Sequence, residues 1–298
     1  MALGAEDLTR LLVEHMDPGA PPQDLHLCLA ELAQANHHAS SINDALELVE
    51  ALVPKVQETL DSMRNAAIQS GTTWEIELFG SGGEWVRGAS FDDPVLPADD
   101  RTARSRRAFV THTKGSLRGL SHRDFEFACA TVLRLLGCQD PRTTRHSNDG
   151  GIDFHGRLEL KGRLDSPFPY GGLDDRARVW LIGQAKHYPT SNLGPAVVRE
   201  MVGTAELART GGALQEWPGL RLSPFDASLI LIFTTGGFSI GAKALLERSG
   251  MLSMDGDQLA TFLCDAGVGI RDSDNVFDSD MFHEDLVESA KRVADIRR

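Results

Sequence analysis

Three side chains stand at a spacing that could do chemistry: Asp153, then Gln184 and Lys186 within "VWLIGQAKHY", residues 179–188. Gln184 and Lys186 are two apart in a strand-like stretch, so their side chains leave the same face. A lysine in the middle of an α/β sheet is costly without a partner. Asp153, 31 positions before Gln184, can supply one from the neighbouring strand of a hairpin. A carboxylate, a carboxamide oxygen and the backbone carbonyl of Ala185 together make a hard-oxygen site suited to Mg²⁺. The Lys186 ammonium, nearby, could orient or help deprotonate a water and offset charge on a phosphate being hydrolysed. Spacing alone leaves a second reading open, a strand end carrying a salt bridge between Asp153 and Lys186.

The elements that must position these residues alternate between helix and strand. "SHRDFEFACATVLRLLG", from Ser121, has an N-cap serine, an acid three positions on, apolar residues at 125, 129, 132 and 136, and a terminal glycine, which predicts one amphipathic helix. Strands are predicted over about 151–160 and 178–187, and a helix over about 195–209 on Val198, Met201, Val202 and Ala205. The continuous apolar run "ASLILIFTT", 227–235, predicts a central strand buried on both faces. Helices near 239–249 and 256–266 close an α/β sandwich around a mixed sheet. One feature of "HSNDGGIDFHGRLELKG", 146–162, is unexpected: Asp149, Gly150, Gly151 and Asp153 are poor strand formers where a strand begins. A tight turn is one local explanation.

Five blocks, in this order, resemble the catalytic domain of Mrr-type restriction endonucleases within the PD-(D/E)XK nuclease superfamily. They are "FEFACATVLRLLGC", "RTTRHSNDGGIDFHG", "IGQAKHY", "VREMVGTAELART" and "LIFTTGGFSIGAKALLERSGMLSMDGDQLATFLCDAGVG". The resemblance spans about residues 120–270 and implies a restriction-endonuclease-like core. By that resemblance Asp153 is similar to the metal-binding aspartate, and Gln184 with Lys186 to the Q-x-K variant in which glutamine replaces the usual acid. Glu126 matches the helix glutamate that many members point into the site, and Asp149 the acid ahead of the glycines. Catalytic roles then fall to Asp153, Gln184, Lys186 and Glu126. The metal falls to Asp153, Gln184, Ala185, Glu126 and Asp149, with Gly150 and Gly151 letting backbone pass close to metal and phosphate. Because glutamine brings one carboxylate fewer, Glu126 or Asp149 must complete the charge on the metal. The insert 161–178 is longer than the family hairpin, and from it Arg163, Tyr170, Arg176 and Arg178 could reach DNA or form a plain surface excursion. His146, His155 and His187 flank the site and are expected to be solvated. "TTGGFS", 234–239, opens a helix whose N-terminus could hold a phosphate, or serves as turn and cap.

Charge is distributed unevenly over the 298 residues, whose formal net charge is −13. Residues 1–100 hold 4 basic and 18 acidic residues, whereas 101–270 hold 21 against 17, so the middle of the chain can approach phosphate. Within it, 101–123 carries seven basic residues and no acid. Residues 5–69 follow a helical period punctuated by Pro18, Pro21, Pro22 and Pro54. "WEIELFGSGGEW", 74–85, predicts a short strand and a glycine turn, and "GSGG" lacks the Gly-Lys-Ser/Thr that a phosphate loop needs. The proline- and aspartate-rich stretch 91–109, where the charge sign flips, is the linker candidate. Cys28, Cys129, Cys138 and Cys264 are far apart, which favours buried reduced thiols over zinc or disulfides. No apolar run approaches the roughly 18 residues of a membrane span, and the first 30 residues lack a basic start and apolar middle, so a cytoplasmic protein is expected.

Four regions follow: 1–100, acidic and mainly helical; 101–120, a basic linker; 121–270, the Mrr-like domain; and 271–298, an acidic helical tail. The expected activity is a Mg²⁺-dependent endodeoxyribonuclease, with Mn²⁺ able to substitute, acting in restriction or anti-phage defence. A structure-specific repair or junction nuclease is an alternative, and so is a catalytically silent DNA-binding or assembly module. The expected partners are DNA and, through residues 1–100, another protein or a second copy, in a homo-oligomer or complex.

Overall fold

The apolar periodicities of the N-terminal third resolve into four helices, α1 (Ala5–His15), α2 (Leu25–Ala35), α3 (Ile42–Glu50) and α4 (Val53–Ser70). The computed structural model describes residues 3–144, 151–161, 177–210, 217, 219–223, 225–271 and 273–296. The chain divides into two compact units, Met1–Val110 and Thr111–Arg298. In the first, Leu8, Leu12, Leu25, Leu29, Val49 and Leu60 form a core. Asp24 and Ser41 cap α2 and α3 by accepting the N–H groups of Leu27 and Asp44. An antiparallel sheet ordered β1 (Gln23–Asp24), β3 (Trp85–Gly88), β2 (Ile76–Phe79) lays Ile76 and Val86 on that core. Its hairpin turn holds the "GSGG" glycines, with Gly80 and Gly83 at positive φ. Glu84 Oε2 accepts the Gly82 N–H at 2.8 Å, so an acid already occupies the turn that a phosphate would need.

The stretch 91–109 carries a helix, α5 (Ala98–Arg107), and 110–119 a second, α6 (Val110–Gly119). Asp99 and Asp100 begin α5 while Arg104, Arg106 and Arg107 end it, the polarity that its dipole favours. The basic run 101–123 is therefore structured and largely compensated. Arg101 pairs with Asp92, Arg104 with Glu77, Lys114 with Asp257, and Arg123 with Glu126.

In the second unit five strands form one mixed sheet in the order β4 (Gln139–Thr143), β5 (Phe154–Glu159), β6 (Arg178–Lys186), β7 (Ala227–Thr234), β8 (Leu252–Met254). The pairs β4–β5 and β5–β6 are antiparallel, and β6–β7 and β7–β8 are parallel. The strands β4 and β8 are absent from the sequence reading. β4 reads QDPRT, with a proline and charges, and β8 is only three residues long, so neither has the apolar alternation that marks a strand. The helix α7 (His122–Leu135) packs on β4, β5 and β6, and α10 (Gly256–Asp265) on β7 and β8. On the α7 side Phe154 stacks on Phe233, ring centroids 5.2 Å apart. The Phe154 ring covers Gly183 so closely that a Cβ there would meet it at 2.1 Å, hence glycine inside a buried strand. Ile182 and Ile232 form another cluster with Val198 and Met201 of α8 (Pro195–Thr210) and Ala242 and Leu246 of α9 (Ile240–Ser249).

The C-terminal segment adds β9 (Ile270–Arg271), β10 (Val276–Phe277), α11 (Ser279–His283), a π-helical turn Glu284–Glu288 and α12 (Ser289–Ile296). It is docked rather than trailing: Phe282, Leu286 and Val287 are buried. Buried Thr131 of α7 donates its hydroxyl to the Leu286 carbonyl at 2.7 Å. All four cysteines are free and buried, as their spacing suggested. Among the described residues no helix is long and apolar enough to cross a membrane.

Candidate active site

The strand β5 begins at Phe154, one residue later than the aspartate that the chemistry requires. Gly151, at φ +85°, makes the turn into it, and that conformation explains a glycine where a strand former was expected. Asp153 is anchored on both sides of its peptide: its N–H donates to the Gly183 carbonyl at 3.0 Å, and its carbonyl accepts the Thr144 N–H at 2.9 Å. Its side chain is buried, and Oδ2 accepts the Ala185 N–H at 2.8 Å. The hairpin β5–β6 thus brings Asp153 to the Gln184–Lys186 end of β6, as the sequence spacing required.

Gln184 is 2% exposed, and its Oε1 has no hydrogen-bond partner. An orphaned carbonyl oxygen in a sheet interior costs about 1–3 kcal/mol. Its Nε2 and the Thr204 hydroxyl of α8 both crowd Gly151: a Cβ there would lie 3.4 Å and 3.1 Å from them. Lys186 lies at the same end of β6 and is half-buried.

Glu126 lies in the second turn of α7, which Ser121 caps by accepting the Asp124 N–H at 3.1 Å. Its carboxylate is 4% exposed and compensated, hydrogen-bonded by Arg123 and facing His122 Nδ1 at 3.4 Å. Arg123 also donates through Nη2 to the Thr144 carbonyl at 3.1 Å, and its guanidinium lies over the Phe127 ring at 4.7 Å. Glu126 and Asp153 share a neighbourhood, because both act on buried Cys129. Burial first, then the Asp153 and Glu126 charges, hold that thiol well above its ordinary pKa, which leaves it protonated and inert.

The structure adds residues that the sequence reading passed over. Arg123 and Thr144 link Glu126 to the Asp153 strand, and Thr204 reaches the site from α8. A basic residue three before a helix glutamate was visible as an i,i+3 pair, but Thr144 and Thr204 carried no local signal. Histidine corrects an expectation: His155 is 1% exposed, with its ring tilted against Trp180 at 6.1 Å, so it is core rather than solvated. His187 is half-buried beside Phe125, and its Nε2 has no partner. Burial holds its imidazole below the ordinary value, with the Arg118 and Leu117 carbonyls pulling the other way and His122 adding to the lowering. Asp149, Gly150, His146, Arg163, Tyr170 and Arg176 lie outside the described residues. "TTGGFS" serves as turn and cap: Ser239 accepts the Ala242 N–H at 3.3 Å, and a Cβ on Gly236 would strike the Tyr188 and Ser191 carbonyls at 2.3 Å.

Among the described residues no group of three or more His, Cys, Asp and Glu is placed to hold a metal. The donor set is instead mixed: one buried carboxylate in Asp153, one orphaned amide oxygen in Gln184, and a second carboxylate, Glu126, engaged by Arg123. All are oxygens, which suits a hard divalent cation.

Residues 117–263 match the Mrr catalytic family model, described as restriction endonuclease. Among curated protein sequences none matches the chain. Two solved structures are similar. One is the MspJI restriction endonuclease in complex with a 27-mer oligonucleotide, at 19% identity and TM-score 0.40, covering 69% of this chain and 43% of that one. The other is the DNA modification-dependent restriction endonuclease AspBHI, at 18% identity and TM-score 0.34, covering 78% and 48%. The chain therefore spans less than half the length of either. The matched span contains α7, the five-stranded sheet and every described site residue, so residues 117–263 correspond to the catalytic domain of the Mrr restriction endonuclease family.

Proposed function

We propose that this chain is a divalent-metal-dependent endodeoxyribonuclease that serves in restriction or another defence against invading DNA. The observation that carries the metal dependence is the buried Gln184 Oε1, which has no hydrogen-bond partner and stands next in the chain to Ala185, whose N–H holds the Asp153 carboxylate. Asp153 and Gln184 would hold Mg²⁺ or Mn²⁺, with Asp149 and Glu126 as further acids. A bound Mg²⁺ supplies Lewis acidity and a water of lowered pKa. Asp153 is kept in place by the Ala185, Gly183 and Thr144 backbone groups, so little reorganisation is needed when a cation arrives. Lys186 offers an ammonium with no ion-pair partner among the described residues to the scissile phosphate, where it offsets the charge that builds during attack by water.

Plasmid nicking with Mg²⁺, Mn²⁺, Ca²⁺ or EDTA tests the reading, with Asp153→Ala as the inactive control. Cutting is expected with Mg²⁺ and Mn²⁺, binding without cutting with Ca²⁺, and no cutting by Asp153→Ala. Full activity in EDTA would overturn the metal site.

A further inference from the structure

Glu126 poses a problem that the proposed metal site does not solve by itself. Its carboxylate is 4% exposed, so the charge needs a counterion at all times, and at present Arg123 is that counterion. A metal ion could use Glu126 only by replacing Arg123, and Arg123 would leave only for another anion.

The surroundings are arranged for such an exchange. The side chain of Arg123 is 25% exposed, against 4% for Glu126, so an incoming anion can reach the guanidinium but not the carboxylate behind it. Its guanidinium lies over Phe127, and Nη2 reaches the Thr144 carbonyl, so one face and one edge are already shared with neutral groups. The helix that carries it is fixed independently. Asp124 is hydrogen-bonded by Ser121 and ion-paired with Lys291 of α12 at 2.8 Å, and Thr131 is tied to the Leu286 carbonyl. The backbone that carries Arg123 is thereby braced, while its side chain reaches solvent. Thr144 joins the same arginine to the strand of Asp153, since its N–H donates to the Asp153 carbonyl and its hydroxyl to that of Ile152 at 2.7 Å.

We propose that Arg123 is a positioning residue that couples DNA to metal: a DNA phosphate draws it from Glu126, and the bared carboxylate would then be available, with Asp153 and Gln184, to help hold a divalent cation. The inference rests on the metal-dependent nuclease reading above and deepens it. Its physical content is that neither exchange is favourable alone. Removing Arg123 without a cation strands a buried charge, and adding a cation beside Arg123 sets two positive charges on one carboxylate. Together they are mutually supporting, and by linkage DNA and metal must tighten each other by the same factor.

Calcium measures this without turnover. Ca²⁺ affinity is read by titration calorimetry on the full chain, free and bound to a 20-base-pair duplex, for wild type, Arg123→Gln, Arg123→Lys, Glu126→Gln and Asp153→Ala. In the wild type the duplex is expected to tighten Ca²⁺ by about tenfold, within the range of ordinary coupling. Arg123→Gln is expected to bind Ca²⁺ more tightly than wild type without DNA, and to lose the duplex effect. Arg123→Lys, which keeps the charge, is expected to restore the weak DNA-free affinity, and Glu126→Gln to lose the coupling. A merely structural arginine would give the opposite sign, with Arg123→Gln binding Ca²⁺ more weakly, and that result overturns the proposal, as does unchanged affinity. If Arg123→Gln fails to melt cooperatively, Arg123→Lys and Glu126→Gln decide: coupling that survives in Glu126→Gln also overturns it. Asp153→Ala separates the two levels, because wild type and Asp153→Ala binding Ca²⁺ equally would mean that the metal site itself is wrong.

Discussion

Buried charge is used in opposite ways in the two units. In the first, Arg87 is 13% exposed and fully answered: Nε bonds Glu77 at 2.8 Å, Nη1 bonds Asp93 at 2.7 Å, and its guanidinium lies 4.9 Å from the Phe79 ring. Arg104 joins the group through Nη2 on Glu77 at 2.7 Å, although its buried Nε has no hydrogen-bond partner. Burial works against these charges, but the hydrogen bonds among them outweigh it, so Glu77 is held below its ordinary pKa and Arg87 above. In the second unit the same kinds of groups are left incomplete, with Gln184 Oε1 partnerless and Lys186 without an ion pair among the described residues. The bonds that answer Arg87 contribute stability, whereas an orphaned buried oxygen costs it, and that cost is what the site proposed above would recover on binding a cation.

That contrast fixes the order of expected effects. Lys186→Ala should lower DNA cleavage by about 10²–10⁴-fold, the scale of losing a positioned catalytic group. Its unfolding free energy should stay within roughly 0.5 kcal/mol of wild type, because no ion pair is lost. Single-turnover cleavage and urea denaturation read the two quantities. A variant that cuts like wild type would remove Lys186 from the site. Arg87→Ala should do the reverse. Removing one member of a buried ionic group costs about 3–5 kcal/mol, so the unit Met1–Val110 should lose its cooperative melting. Metal-dependent nicking by the second unit should persist. Loss of nicking together with retained melting would show that Arg87 serves the reaction.

The elements that carry this contrast were largely legible in the sequence, the charge pairings were not, and the gaps have physical causes. The helices α1 through α4 and α7 through α10 follow apolar periodicity, whereas α5, in the stretch read as a linker, buries no residue; the Asp153–Gln184–Lys186 grouping needs only a hairpin and a two-residue period. Boundaries failed where pairing overrides propensity. Asp153 precedes its strand because Gly151 turns at positive φ, and β4 and β8 exist because neighbouring strands offer their edges. Partners distant in sequence were out of reach. Nothing local ties Arg104 to Glu77, Lys114 to Asp257 or Lys291 to Asp124, so the pairing inside the stretch read as a basic linker was not visible. His155 illustrates the same limit, since its burial comes from lying across from Ile182 and against Trp180.

Gln184→Glu sharpens the comparison by making the open site more like the acid form common elsewhere in the superfamily. Without metal it buries a second carboxylate close to Asp153, which should destabilise the protein as like charges do. With metal the added charge should lower the half-saturating Mg²⁺ concentration on the order of tenfold, because ligand charge count tunes affinity. Thermal melting with and without Mg²⁺ reads both: a lower apo midpoint and a larger Mg²⁺-induced rise, with cleavage retained. A midpoint indifferent to Mg²⁺ in the variant would mean that Gln184 does not face the cation.

The smallest expected effect tests whether the second unit also contains self-satisfied charge, at the Lys291–Asp124 pair that fixes the first turn of α7. Burial opposes the Asp124 charge, but the hydrogen bonds from Lys291 and Ser121 outweigh it, and its carboxyl lies below the ordinary range. Lys291 is held above its own by Asp124 and Glu288. A depressed carboxyl contributes stability above its unfolded value, near pH 4, and loses it as pH falls through the folded value. A raised lysine contributes below its unfolded value, near pH 10.4, and loses it as pH climbs through the folded one. Between these limits the pair is fully charged, so the stability difference between wild type and Lys291→Ala should be flat from about pH 5 to pH 9.5. Its size should not exceed about 1 kcal/mol, since the side chains are 32% and 21% exposed and water screens them. Urea denaturation of both proteins at pH 5, 7 and 9 checks the plateau. A difference that collapses between pH 6 and 7 would point to a histidine, with His283 near Asp124 the first to examine, and the pair would then be a titrating contact rather than a fixed brace.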